Sequence, residues 1–398
     1  GGGWQTVLSP PLLHLMTSLL ITVHSNAEIK YALQKSKMYT ATINHLEWES
    51  LLLFYLLCKY NIVDSKLIAF ADDLTIVCWA TNTRLLNSKI IECLNFIEDW
   101  CASRKLVINH SKTNILYLFK KNHPIIHHRN HTIHSSSSIK ILGLTFSNHR
   151  FKNKLNFSQH INNIIDKIQN LFRIFFALIS NTWGISFKKR LNLFKGMVRP
   201  AITYACDIWF EHINLKQKNK LDSLQHRFLI KTTHAYCTTP KNIVAVICNI
   251  CHLSDYCLLL NSTKNIDDLS IRKYVRSDIA SKLITGYYTN TNCTFKMFFD
   301  SSNIPKVFQP NFFNMQFVSG HGNFNYYLHR FNLFHTSSCD CGFHEQDSIH
   351  VLLTCPLFSS IRIHSFSNLS EFFSSKFNFH IFNSFCKNYY HLKCISSQ

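Results

Sequence analysis

Two groups of side chains in this sequence have the types and spacing to do chemistry. The first is Phe70-Ala71-Asp72-Asp73-Leu74, two adjacent carboxylates between apolar segments. Like charges side by side repel, and apolar flanks supply no counter-charge, so the pair costs free energy unless a cation binds. Hard divalent ions such as Mg2+ prefer carboxylate oxygen and keep positions open for substrate phosphate. Nucleotidyl transfer uses two such ions ~3.5–4 Å apart, one at the attacking hydroxyl and one at the leaving pyrophosphate. Alternation along a strand puts Asp72 and Asp73 on opposite faces. Only one can then be a full ligand, and another carboxylate must come from elsewhere. The same dipeptide is also what an ordinary solvated hairpin turn contains.

The second group is Cys339-Asp340-Cys341-Gly342, His350 and Cys355-Pro356, a Cys-x-Cys-x8-His-x4-Cys spacing. Three thiolates and one imidazole are the ligand set of a structural tetrahedral zinc. Gly342 permits the turn that brings the first pair together, and Pro356 fits just after the last ligand. His350 and Cys355 fall about one turn apart on a plausible helix, so both can face the ion. Binding would then fold a segment too small to have its own core. His335 and His344 are rival ligands, and unpaired loop thiols are the alternative.

The elements that must position these groups can be read from periodicity. Leu67, Ile68 and Phe70 lead into the Asp72–Asp73 turn, and Leu74, Ile76, Val77 and Trp79 lead out, which reads as a hairpin. Leu86, Ile90, Leu94, Ile97 and Cys101 recur at helical spacing over Leu85 to Cys101, with Asn82 or Thr83 as cap. Strands are predicted at Asn114–Phe119, on either side of His127–His134, and at Ile139–Phe146. The N-terminal run Leu8–Val23 is apolar and helix-compatible, and residues 28–65 have no clear theme. After about residue 150 the pattern turns helical. One helix is capped by Ser158, one starts near Ser186 and is ended or kinked by Pro200, and one starts at Leu215. Their outer faces are basic: Lys188, Lys189, Arg190, Lys195 and Arg199, then Lys216, Lys218, Lys220, Arg227 and Lys231. These read as nucleic-acid contacts in preference to merely solvated surface.

Composition agrees. The chain has 398 residues, 46% hydrophobic and 16% charged, enough to bury a large core. Its 42 Lys and Arg against 22 Asp and Glu give +20, an excess that attracts polyanions, nucleic acid first. No stretch offers the ~18 uninterrupted apolar residues of a membrane span, and no signal peptide is legible. Fifteen Cys without even framing argue for reduced thiols. Two weaker clusters read as structural. His123, His127, His128, His131 and His134 suit an exposed hairpin, and Cys248 and Cys251 suit buried thiols. The chain opens with Gly1 and not Met, which reads as a fragment.

Phe-Ala-Asp-Asp resembles the signature hairpin of reverse transcriptases of LINE-type (non-long-terminal-repeat) retrotransposons. Gly3-Trp4-Gln5-Thr6-Val7-Leu8-Ser9-Pro10 is similar to that family's turn-and-helix cradling the templating base pair. It departs at Trp4 and Thr6, where the family carries Pro and Gly. Ser111-Lys112-Thr113, Ile141-Leu142-Gly143-Leu144, which resembles the hairpin that grips the primer, Phe157-x-x-His160-Ile161 and Val198-Arg199-Pro200-x-x-x-Tyr204 follow in the family's order. The jockey-like, insertion-site-specific branch fits best, including a terminal Cys-Cys-His-Cys knuckle that binds nucleic acid. The resemblance implies Asp72 as Mg2+ ligand and Asp73 as its support. It implies Gln5 and Gly3 at the template–nucleotide pair, and Lys112 near the incoming triphosphate. The family's first catalytic Asp and its fingers lie upstream of Gln5. The separation of Gln5 from Asp72 is longer than the family leads one to expect, as though 28–65 were an insertion or a gene-model error.

The expectation is an α+β protein. Residues 1–150 form a partial palm, 151–290 a helical thumb and connection, 291–336 a linking segment, 337–358 a zinc knuckle and 359–398 a tail. The implied activity is RNA-directed DNA polymerase, with Mg2+ and Zn2+ as cofactors. RNA template, DNA primer or target and deoxynucleoside triphosphates are the implied partners. The nucleus is the expected compartment, the cytoplasm the second. The isolated chain is expected not to extend a primer, and a non-catalytic nucleic-acid-binding relic is the alternative.

Overall fold

A computed structural model of the chain describes residues 18–23, 60–70, 73–104, 106, 108–118, 124–148, 156–177, 179, 184–362 and 368–395. It mixes small sheets with many helices, an α+β architecture, and divides into two compact units. One comprises Gly1–Asn163 with Glu211–Ile213, and the other comprises Ile164–Phe210 with Asn214–Gln398.

The first unit is built on a four-stranded sheet of order β2-β3-β1-β4: β1 (Ser18–Val23), β2 (Ser65–Phe70), β3 (Asp73–Cys78) and β4 (Asn114–Tyr117). β2 and β3 are antiparallel, with Phe70 opposite Asp73 and Ser65 opposite Cys78, so the hairpin closes across residues 71–72. β1 runs parallel to both β3 and β4. A strand here corrects the helix-compatible reading of Leu8–Val23 for its last six residues, and residues 8–17 lie outside the described ones. The run Leu-Leu-Ile-Thr-Val is continuous and apolar, a pattern that suits an interior parallel strand as well as a helix.

Helix α1 (Thr83–Ala102) covers one face of this sheet. Asn82 caps it, its side chain accepting from the Leu85 amide at 2.9 Å. Leu86, Ile90, Leu94 and Ile97 at helical spacing pack on Leu74, Ile76, Ile115 and Tyr117. The intervening strand residues Val77, Leu116 and Leu118 form a second layer with Ile139 on the opposite face. Both sheet faces are therefore buried. Two hairpins follow: β5 (Ile126–His128) with β6 (His131–Ile133), and β7 (Ser138–Ile141) with β8 (Leu144–Ser147). The second corrects the single strand predicted over Ile139–Phe146. Leu142 and Gly143 both take positive φ, 46° and 86°, as a two-residue hairpin turn requires.

Helix α2 (Ser158–Ala177) starts in the first unit, where Asn156 Oδ1 accepts from the Ser158 amide at 2.9 Å, and continues into the second. The second unit is helical. After α3 (Phe187–Leu193), the turn Phe194–Val198 widens to a π-helix before α4 (Arg199–Thr203). Pro200 thus does not end the helix. It offers no N–H and its ring crowds the carbonyl four residues back, and the widened turn removes both conflicts. α5 (Cys206–Trp209) is short, and α6 (Leu215–Thr233) opens on a capping box between Asn214 and Gln217. α7 (Lys241–Cys248) and α8 (Leu253–Ser262) form a pair bent by 57°. Among the described residues no single helix is long and apolar enough to cross a membrane. Cys248 and Cys251 are buried thiols, and burial pushes Cys251 up to about 11.

The remaining helices are α9 (Leu269–Thr289), α10 (Cys293–Phe298), α11 (Phe312–Ser319), α12 (Asn325–His329), α13 (Ser348–Leu353) and α14 (Lys376–Ile395). The stretch 359–398, read from the sequence as a tail, supplies Phe372, Phe382, Phe385 and Tyr389 to one aromatic core shared with Phe295, Phe298, Phe317 and Phe324. Phe317 stands at its centre. Its ring centroid is 5.1 Å from Phe324, 5.8 Å from Phe385 and 5.4 Å from Tyr389. Phe317→Ala should cost about 3–5 kcal/mol, the range for deleting a buried aromatic ring. Chemical denaturation checks this, and a loss under 1 kcal/mol would mean the core closes around the gap.

Candidate functional site

Strand register brings the first set of candidate residues to one edge of the sheet. Asp73 begins β3 level with Ser18 of β1, and Asn114 begins β4 level with Leu20. Lys112 lies two residues before Asn114, so Asp73 and Lys112 flank the start of β1 from either side. Two strand spacings of ~4.8 Å put their backbones roughly 10 Å apart. Asp73 alternates with Thr75 and Val77, so it belongs to the face opposite α1. A 3-10 turn (His110–Lys112) holds the Ser-Lys-Thr element. The Lys112 amide donates to Asn109 O at 3.1 Å and Thr113 Oγ1 donates to the same carbonyl at 3.1 Å. Thr113 is buried and Lys112 exposed. Asp72, Gln5 and Gly3 lie outside the described residues.

The second set converges in space. One donor atom each of Cys339, Cys341, His350 and Cys355 lies within 4.8 Å of the others, the one such metal-ligand group among the described residues. Cys339 Sγ and Cys355 Sγ are 3.6 Å apart, and Cys341 Sγ is 3.3 Å from His350 Nε2. Tetrahedral zinc with Zn–S of ~2.3 Å and Zn–N of ~2.0–2.1 Å requires edges of roughly 3.8 Å and 3.5 Å. These two edges fit a zinc ion within a few tenths of an ångström, and the widest separation, within 4.8 Å, closes on the ion with a shift of about 1 Å.

Local structure explains the convergence. Gly342, at φ 94°, returns the chain so that its amide donates to Cys339 O at 2.9 Å and the Cys339 amide donates to Phe343 O at 2.9 Å. His350 sits on α13, which Asp347 caps through the His350 amide at 2.7 Å. Cys355 lies just past the helix end, not on it, and its amide donates to His350 O at 2.9 Å. Neighbouring polar groups orient the ligands. Thr354 Oγ1 is 2.9 Å from His350 Nδ1, leaving Nε2 for the ion, and Gln346 Nε2 donates to Cys339 Sγ at 3.3 Å. Phe343 stacks on the His350 ring at 4.3 Å. The rivals His335 and His344 are not in the set. Nor is this a segment without a core, because Cys339, Val351, Leu352 and Cys355 belong to the aromatic core around Phe317.

The family model for reverse transcriptase (RNA-dependent DNA polymerase) matches residues 36–146. A Pol polyprotein from type-1 retrotransposable element R1 4 of Nasonia vitripennis is 23% identical over 74% of this chain and 84% of its own length. A putative 115 kDa protein of element R1DM in Drosophila melanogaster is 22% identical over 75% of this chain, and an R1 Pol polyprotein of Bradysia coprophila is 22% identical over 74%. This chain covers about a third of those two relatives, 31% and 32%. No solved structure matches it. Residues 36–146 thus match reverse transcriptase, and the chain is similar over about three quarters of its length to proteins of R1-type retrotransposable elements, which supports a LINE-type reverse transcriptase.

The family match includes residues 36–65, most of the stretch without a legible theme. The basic helices are only partly as expected. Lys188, Lys189 and Lys195 are exposed, as are Lys216, Lys220 and Arg227. Arg190 is not on that surface. It is 7% exposed and bonds through Nη1 to His234 Nε2. Burial lowers the Arg190 pKa, and burial followed by the Arg190 charge pushes His234 down to about 4. The signal lay in the spacing: Phe187, Arg190 and Phe194 share one helical stripe. Arg199 is half-buried, its guanidinium 4.4 Å from the Tyr256 ring centre. The His-rich hairpin also differs from expectation. His127, His131 and His134 are exposed, but His128 is buried against α1, and His123 lies outside the described residues. Sequence reasoning placed Glu98 only on the polar side of its helix and passed over His110, Gln346 and Thr354.

Proposed function

We propose that the chain is part of a polymerase for RNA-templated DNA synthesis, which adds deoxynucleotides to a primer 3′ end at the sheet edge where Asp73 and Lys112 flank β1, and that by itself it does not extend a primer. That juxtaposition is the observation that carries the reading. The first unit acts as the palm and the helical unit as the thumb. Mg2+ held at Asp72 with a further carboxylate supplies activation of the 3′ hydroxyl and neutralises charge on the transferred phosphoryl group. Asp73 supports that ion or the primer end. Lys112 meets the triphosphate and gives a proton to the departing pyrophosphate. Gln5 and Gly3 contact the template–nucleotide pair, and Lys188, Lys189 and Lys195 contact the nucleic-acid backbone. Zinc at Cys339, Cys341, His350 and Cys355 fixes the C-terminal fold. We assign the chain to the jockey-like, insertion-site-specific branch and to the nucleus.

Nucleotide binding in the presence of primer, RNA template and Mg2+ tests the polymerase site. Asp72→Ala should weaken Mg2+-dependent dATP affinity at least tenfold and leave primer–template affinity within twofold. Equal dATP affinity in both proteins overturns the assignment. A second reading, a nucleic-acid-binding relic, is favoured by the exposed Lys and Arg of α3 and α6. It prevails if Asp72→Ala is silent and Cys339→Ser abolishes nucleic-acid binding.

A further inference from the structure

The Ser-Lys-Thr turn is anchored to the rest of its unit by a carboxylate that the proposed chemistry leaves unused. Glu98 lies on α1 with its side chain 10% exposed. Its Oε1 is 3.2 Å from His110 Nε2, at the first residue of the turn that carries Lys112, and 3.4 Å from His128 Nδ1 on β5. Its Oε2 is 2.9 Å from Arg129 Nη1 in the β5–β6 turn. Neighbouring contacts restrain each of these partners. The His128 ring bonds through Nε2 to Asn95 Oδ1 at 2.8 Å, and the His131 ring stacks on His110 at 3.7 Å. One buried carboxylate therefore gathers three chain segments: α1, the turn before β4, and the β5–β6 hairpin.

A buried carboxylate is retained at low cost only where partners compensate its desolvation. Here Arg129 compensates one oxygen, and the other faces the His110 ring at 3.2 Å, at the start of the segment that must present Lys112. The turn itself is short, held by the Lys112 and Thr113 amides donating to Asn109 O and His110 O at 3.1 and 3.2 Å. Such a turn has no core of its own and takes its position from what grips its ends. β4 grips one end, and Glu98 through His110 grips the other.

We infer that Glu98 is a positioning residue for the polymerase site: through His110 it fixes the turn that aims Lys112 along the Asp73 edge. This rests on the assignment of Lys112 to the triphosphate. Two readouts separate the inference from that assignment. In amide hydrogen exchange on the full chain, Glu98→Gln should speed exchange at Lys112 and Thr113 at least tenfold and leave the β2–β3 amides unchanged. His110→Ala should do the same, and His110→Gln, which keeps a polar side chain facing Glu98, should restore protection. In dATP binding with Mg2+ and primer–template, Glu98→Gln should weaken affinity about fivefold or more. The Glu98→Gln/Lys112→Ala pair should then bind no worse than Lys112→Ala alone. Unchanged exchange at Lys112 and Thr113 in both Glu98→Gln and His110→Ala overturns the inference, as does additivity in the binding cycle. If Lys112→Ala leaves dATP affinity intact while the exchange effect is present, the turn is gripped as described and the triphosphate assignment fails.

Discussion

Excess of a strong zinc chelator should lower the melting temperature of the helical unit by roughly 10 °C or more. Structural zinc contributes as much as ~10–16 kcal/mol in peptides that fold around it. Here part of that is offset, because the ligands already sit in a packed core with Phe358, Tyr389 and Val351. What remains is the cost of holding three thiols and an imidazole within 4.8 Å of each other without the ion. For a unit of this size, each kcal/mol moves the midpoint by ~2–4 °C. Cys355→Ser should reproduce the shift, and chelator should then add nothing further. Phe343→Ala, which removes only the ring stacked on His350, should leave most of the stability in place. A midpoint indifferent to chelator, in protein purified with or without zinc, would remove the metal from the structure altogether.

Nucleic-acid affinity should fall on the order of 10³-fold or more between 50 and 200 mM salt. That range corresponds to six or more phosphates neutralised, and the net charge of +20 supplies enough cations for it. The structure makes the expectation residue-specific. Lys188 and Lys189 are exposed on α3, so changing both to Gln should reduce the slope of log K against log salt by about 2. Arg190, their immediate neighbour, is buried against His234. Arg190→Gln should leave that slope unchanged and register instead as a loss of stability. Titrations at several salt concentrations measure both. A slope that drops equally for all three positions would place Arg190 at the phosphate backbone after all.

The contrast between those adjacent residues shows where sequence reading reaches and where it stops. The β2–β3 hairpin was legible because β-branched and aromatic residues alternate around an acidic turn. Helix α1 was legible because Leu86, Ile90, Leu94 and Ile97 recur at helical spacing. The grouping of Cys339, Cys341, His350 and Cys355 was legible because such donor side chains are rare enough for spacing alone to group them. Three features were hidden because they depend on tertiary context. Leu142 at positive φ splits into two the one strand that periodicity suggested, a turn that only the resemblance implied, because Leu is a poor signal for that conformation. Pro200 is absorbed by a π-helical turn that begins six residues earlier, at Phe194. Glu98 draws its meaning from His110, His128 and Arg129, up to 31 positions away, and no local pattern joins them.

The last helix makes the donor group depend on residues far along the chain from it. Lys393, almost at its end, reaches back to Asn325 Oδ1 at 2.9 Å and Gln346 Oε1 at 3.1 Å, and Gln346 in turn touches Cys339 Sγ. All four donors lie well before that point. A chain cut short before Phe382 would keep Cys339, Cys341, His350 and Cys355 and still lose Phe382, Phe385, Tyr389 and Lys393, and with them much of the packing that gathers the four. An intact motif is therefore no guarantee of an intact donor group.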